Sequence, residues 1–152
     1  MSTPNPTQTI AIGSDHAGFE RKQQIIAWLQ NQGYTVADFG THDEHSVDYP
    51  DYVHPLALHL KAHPETKGIL VCGSGQGVCM TANKYAHIRA ALVWIPEIAE
   101  MTRKHNNANV ICIPGRYLSE DMALTCVEKF LTTDFEGGRH QSRIDKMNPD
   151  IV

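Results

Sequence analysis

The segment of this chain best equipped for chemistry is Cys72-Gly73-Ser74-Gly75-Gln76-Gly77. Glycines at alternate positions let the backbone approach a ligand closely and aim several N–H groups into one space. Such a loop suits an oxyanion or a phosphate. It is not G-x-G-x-x-G, because the last glycine comes one residue too soon, and no Gly-Lys-Ser/Thr follows to make a P-loop. A tight strand-to-helix turn with no ligand would use the same glycines. Cys72 stands directly before the loop, where the amides and the start of the next helix would stabilise a thiolate. A buried, inert thiol is the usual alternative. Cys79 lies two residues past the loop and reads as a packing residue.

Asp15-His16 follows another short apolar run and precedes Gly18. Arg139 and Arg143 are four apart, so a helix would set both on one face, where two guanidiniums suit a phosphate. A solvated basic turn is the plainer reading of that pair. His105-Asn106 closes a helical segment, where a histidine is also favoured by the helix dipole alone. His42, Asp43, Glu44, His45, Asp48, His54, His59 and His63 look like a metal cluster on paper. They lack an H-E-x-x-H pattern and occupy a polar loop and a wet helix face, so solvated histidines are expected.

The elements that must position these groups alternate. Strands are expected at Thr9–Ser14, Thr35–Phe39, Lys67–Cys72, Arg89–Val93 and Val110–Ile113. Helices are expected at Phe19–Gln32, Asp51–His63, from the glycine loop to about Lys84, from Pro96 to about His105, and from Ser119 to Leu131. Gly33 is a C-cap candidate, Pro64 a stop, and Ser119 an N-cap with Glu120 and Asp121 in the first turn. Strands alternating with helices imply βαβ units: an α/β fold with a five-stranded parallel sheet and helices on both faces. In open parallel sheets ligands bind at the carboxyl ends of the strands. Asp15, His16 and Cys72 therefore share one edge. His105 comes before the last strand and belongs to the opposite edge, too far to reach Cys72 in its own subunit. It is either an ordinary helix-end histidine or part of a second subunit's site.

With 152 residues the chain is expected to form one domain, 9–152, behind a loose arm at 1–8 and with a polar tail from about 132 in which 139–147 is helical. The formal net charge of −4 argues against general nucleic-acid binding. The longest apolar run, Ala90–Ile95, is too short to span a bilayer, and the polar start Met1–Thr9 is not a secretory signal. Four cysteines without a C-x-x-C pair suit free thiols in a reducing cytoplasm.

Seven motifs then fall in order: GSDHAGF (Gly13–Phe19), VDYPDY (Val47–Tyr52), CGSGQG (Cys72–Gly77), ANK (Ala82–Lys84), HN (His105–Asn106), GR (Gly115–Arg116) and EGGRHQSR (Glu136–Arg143). Together they resemble type B ribose-5-phosphate isomerase, in the wider group with the lactose-pathway galactose-6-phosphate isomerase subunits. The resemblance covers about residues 9–145. It implies a Rossmann-like three-layer α/β/α sandwich, a homodimer or homotetramer with a shared active site, a role in the pentose phosphate pathway, and no metal or other cofactor. It implies Cys72 as the proton-transfer base. A second branch uses a glutamate just after the loop, where this chain has Val78. It implies His105 as the ring-opening group with Asn106 beside it. Substrate binding would fall to Asp15, His16, Tyr49, Gly73, Ser74, Gly75, Gln76, Gly77, Arg116, Arg139 and Arg143. The histidines of 42–63 have no counterpart in it.

The chemistry fits the residues. An aldose–ketose isomerase must open a sugar ring, shuttle a proton between C2 and C1, hold an enediolate and anchor a phosphate. The expected reaction interconverts D-ribose 5-phosphate and D-ribulose 5-phosphate. A six-carbon substrate, allose 6-phosphate or galactose 6-phosphate, is the near alternative. A non-catalytic phosphate-binding module would leave Cys72 and His105 without a joint purpose, and a thiol redox protein is disfavoured without C-x-x-C.

Overall fold

A computed structural model describes residues 8–149. The chain order is β1 (Thr9–Ser14), α1 (Phe19–Asn31), β2 (Thr35–Asp38), α2 (Pro50–Ala62), β3 (Lys67–Cys72), α3 (Gln76–Ala82), β4 (Ala90–Leu92), α4 (Pro96–Asn106), β5 (Val110–Pro114), α5 (Glu120–Thr132) and α6 (Arg139–Ile144). All four strand pairings are parallel, in the order β2-β1-β3-β5-β4. The α/β reading stands, with most boundaries moved by a residue or two. The helix expected at 139–147 ends earlier, at Ile144, and α3 already begins inside the glycine loop, at Gln76.

The three central strands are buried on both faces, and period-two alternation divides them between two cores. Ile10, Ile12, Ile69, Val71, Ile111 and Ile113 face α1, α4 and α5, against Leu29, Ala99 and Phe130. Ala11, Leu70, Cys72, Val110 and Cys112 face α2 and α3, against Val53, Leu56, Leu60 and Val78. Parity thus puts the Cys72 side chain on the α2/α3 side.

The helix ends follow their sequence signals. Ser119 Oγ accepts from the Met122 N–H at 3.1 Å. Gly33, with φ +93°, is the left-handed turn after α1. Pro96 opens α4, where a missing N–H costs nothing. One feature of α1 is not visible in its apolar pattern. Lys22 is fully buried and its Nζ bonds both Asp38 oxygens at 2.9 Å, tying α1 to the end of β2. Apart from Gln8, the arm expected at 1–8 lies outside the described residues. Gln8 already accepts a backbone bond from Thr35. In the tail, α6 packs on α4.

Candidate active site

Three strand ends converge on one crevice. After β1, the Asp15 N–H reaches the Val71 carbonyl at 3.3 Å, and Asp15 Oδ1 accepts the Gly18 N–H at 3.0 Å. This holds Asp15 buried at the start of α1, close against β3. A Cβ at Gly18 would sit 2.5 Å from the Val71 oxygen, so only glycine permits that approach. His16 Nδ1 accepts the Val47 N–H at 3.1 Å. An accepting Nδ1 leaves the proton of a neutral imidazole on Nε2.

At the end of β3, Cys72 is 5% exposed, at the floor of the crevice. The β3 and β5 exits are zipped together by Gly115 N–H to the Cys72 carbonyl at 2.9 Å and Arg116 N–H to the Gly73 carbonyl at 3.0 Å. The Arg116 side chain lies over Gly73, and the Tyr49 ring lies over Gly77.

The result is a cavity of about 340 Å³ lined by Asp15, His16, Tyr49, Cys72, Gly73, Ser74, Gly77 and Arg116. Ala17 and Tyr117, which the sequence did not single out, complete the wall. Gly75 and Gln76 are not part of it. Gly75 has φ +73°, and a Cβ there would strike Leu92 and the Pro114 nitrogen. Its role is to turn the chain against β4 and β5.

The remaining candidates are elsewhere. Asn106 lines a larger cavity, about 760 Å³, with Arg89, Thr102, Gln141 and Asn148 among its walls. His105, at the end of α4, stacks on His140 with ring centroids 4.5 Å apart. The Arg89 side chain bonds the Asn106 and Asn107 carbonyls, and Gly68 N–H bonds the Asn109 carbonyl. Those partners sit at the starts of β4 and β3, so the end of α4 lies at the amino edge of the sheet. Arg139 and Arg143 are exposed on α6, which packs on α4 at that end. One chain therefore holds two separate groups of candidates.

The other thiols do not share the crevice. Cys79 donates to the Ala90 carbonyl at 3.5 Å, and contact with the Cys112 thiol holds it below the ordinary thiol range. Burial drives Cys112 well above that range. The histidines of 42–63 form no common cluster: His54 Nδ1 pairs with the Tyr85 hydroxyl at 2.6 Å, and His59 lies between Phe39 and His63. Asp43 is held below its usual range by hydrogen bonds from His45. Among the described residues the one converging set of three metal-capable side chains is not in this stretch; it is His105, Glu136 and His140. Glu136 and His140 stood inside a quoted motif, and their four-residue spacing was the available signal.

Comparisons with known proteins give the chain its family. Residues 10–147 match the family model described as Ribose/Galactose Isomerase. A probable ribose-5-phosphate isomerase B of Mycoplasma pneumoniae is 44% identical over 139 residues, covering 91% of each chain. The crystal structure of a ribose 5-phosphate isomerase from Thermotoga maritima has a TM-score of 0.90 and 45% identity, covering 91% of this chain and 96% of that one. The ribose-5-phosphate isomerase B of Mycoplasma genitalium, solved with bound ribulose-5-phosphate, has a TM-score of 0.89 and 40% identity, covering 93% and 94%. With the strand order, the glycine loop and this degree of likeness together, the chain belongs to the ribose/galactose isomerase family, in its type B ribose-5-phosphate isomerase branch, and is an isomerase.

Proposed function

We propose that the protein interconverts D-ribose 5-phosphate and D-ribulose 5-phosphate through an enediolate. The observation that carries this reading is the crevice itself. It gathers a cysteine, an acid–imidazole pair, a glycine loop and an arginine at the carboxyl edge of one sheet. Cys72 is the base that moves the proton between C2 and C1, a step that needs one positioned group on one face of the sugar. The amides of Gly73, Ser74 and Gly77, the loop residues that line the crevice, would meet the developing enediolate charge. Asp15 and Tyr49 hold sugar hydroxyls, and His16 donates from Nε2. Arg116 of this crevice, together with Arg139 and Arg143, anchors the phosphate through charge-assisted bonds. His105 opens the furanose ring, with Asn106 beside it.

Since His105, Arg139 and Arg143 stand at the amino edge, we assign them to the crevice of a neighbouring subunit in a cytoplasmic homodimer, or a tetramer built from such dimers. Residues 9–152 act as one isomerase domain. No helix of the described residues is long and apolar enough to cross a membrane.

The test is an assay of the purified protein on ribose 5-phosphate, ribulose 5-phosphate, allose 6-phosphate and galactose 6-phosphate, with and without EDTA. Turnover of the five-carbon pair, undiminished by the chelator, is the expected result. A preference for a six-carbon substrate would reassign the substrate and leave the residue roles standing. No turnover of any of the four would remove the proposal.

A further inference from the structure

The densest set of donor atoms outside the Cys72 crevice lies where α4 ends. His105 is in the last turn of α4. The Glu136 N–H donates to the Lys104 carbonyl at 3.1 Å, which moors the segment before α6 to this helix end. His140 follows in the first turn of α6, only 7% exposed, with its Nε2 3.6 Å from Glu136 Oε2. Its ring lies on that of His105, with 18° between their planes. One ligand-capable atom from each of the three residues falls within 4.8 Å of the other two.

We propose that His105, Glu136 and His140 form a binding site for a borderline divalent cation of the zinc class, and that the bound ion silences His105. Two imidazoles and a carboxylate are the donor set of Zn(II), Co(II) and Ni(II), not of Mg(II) or Ca(II), which take oxygen ligands. Three protein ligands leave the fourth tetrahedral position to water. Ligands at about 2.0–2.1 Å from zinc stand about 3.4 Å from one another, so the three donors must draw together. Stacked rings cannot aim both lone pairs at one ion, so one imidazole must turn. His140 is buried and Glu136 is exposed, which leaves His105 and the carboxylate to move. The χ2 torsion of histidine is broad enough to allow it.

The surrounding charge permits a cation. The α4 carboxyl end contributes partial negative charge. Arg103 is turned away, bonded to the carbonyls of Thr133 and Ala108 and to Asn107 Oδ1. Arg139 and Arg143 oppose a cation but are exposed and screened. An ion on the imidazole lone pair occupies the atom that would exchange a proton with the sugar. The silencing half of the inference therefore rests on the ring-opening role proposed for His105, whereas binding does not.

The two halves separate experimentally. Chelator-stripped protein is titrated with Co(II), followed by its visible absorption, and with Zn(II) against a chromophoric chelator. One site per chain is expected. Glu136→Gln and His140→Ala should each weaken Zn(II) binding by at least about 10–100-fold, the scale already seen for residues that merely support a ligand. Cys72→Ala and His59→Ala should leave it unchanged. Because Glu136 is exposed, Glu136→Gln tests the site in a folded chain. Affinity that ignores both site variants, or that falls with Cys72→Ala, overturns the site. In the assay, Zn(II) should inhibit the parent protein reversibly and inhibit Glu136→Gln only at concentrations at least about tenfold higher, in step with the weakened binding. Binding at this site without inhibition overturns the silencing and counts against the His105 assignment, while the site stands.

Discussion

At the scale of the residue, the question is which thiol moves the proton. Cys72 floors the crevice, while Cys79 faces Ala90 and Cys112. Cys79 is held below the ordinary thiol range, but it does not line the crevice. Position decides, because a base must reach the proton it takes. Cys72→Ala should lower kcat about 10²–10⁴-fold with substrate binding largely kept, and Cys79→Ala should stay close to the parent. Loss of activity in the second and not the first would name the other thiol. On the proposed reading Arg139 and Arg143 would hold phosphate in ground and transition states alike, so removing either should raise KM and spare kcat. The effect should be much larger for ribose 5-phosphate than for unphosphorylated ribose, and equal effects would end the phosphate role. Asp15, His16 and Cys72 could be placed together from sequence because each ends or follows a buried strand, and parallel strands share one carboxyl edge. The partners of these residues could not. The Val47 N–H that fixes the His16 tautomer is 31 residues away, and no periodicity encodes that contact.

At the scale of the element, the strands and helices were legible wherever burial imposes a period. β1 and β3 kept their expected bounds because both faces are covered and their apolar runs are continuous. Gly75 misled because a glycine that turns the chain and one that bares its amide look alike in sequence. Lys22 was hidden because a lysine inside an amphipathic helix normally lies on its wet side. Breaking its pair should be costly: Asp38→Asn leaves a buried ammonium short of its counter-charge. The Asp38 side chain is 28% exposed and water screens it in part, so the loss should fall below the scale of about 3 kcal/mol at which breaking a buried pair begins. Lys22→Met should cost less, because it removes the charge together with its desolvation, and urea unfolding of both variants gives the order. Lys67, at the start of β3, is pushed down to about 8, first by burial and then by Arg103, with Asp134 opposing. Below that pH the folded protein keeps an ammonium that the unfolded chain solvates better, so this group costs stability there. From about pH 8 towards its ordinary value of 10.5, the unfolded chain binds more protons than the folded one, and the cost is relieved as pH rises. Lys67→Met should therefore be more stable than the parent at pH 7, with the advantage shrinking by pH 10. Cys126, raised to about 11 by burial, has the opposite slope in that range but cancels between variant and parent. An advantage that does not change with pH would show that Lys67 is not the titrating group.

At the scale of the whole molecule, the two groups of candidate residues stand apart. Cys72 ends β3, while His105 precedes β5 in the last turn of α4, and the residues just after it bond Arg89 before β4 and Gly68 in β3. β3 has six residues and is about 17 Å long at the rise of a parallel strand, farther than a side chain reaches. If Cys72 and His105 act on one sugar, the second must come from another copy of the chain. A two-fold dimer supplies this twice over, building two identical sites with Cys72 from one chain and His105 from the other. The exposed Met80, Trp94 and Met101 are then available to a partner's surface. Cys72→Ala and His105→Ala should each be inactive alone. Mixed after reversible dissociation, they should recover activity, because each mixed dimer has one site with both residues intact and one with neither. Random pairing makes half of the dimers mixed, so recovery should approach about a quarter of the parent's sites. A mixture that stays inactive after subunit exchange has been verified by mass would mean that each chain completes its own site, and the assignment of His105 to a neighbour's crevice would fall.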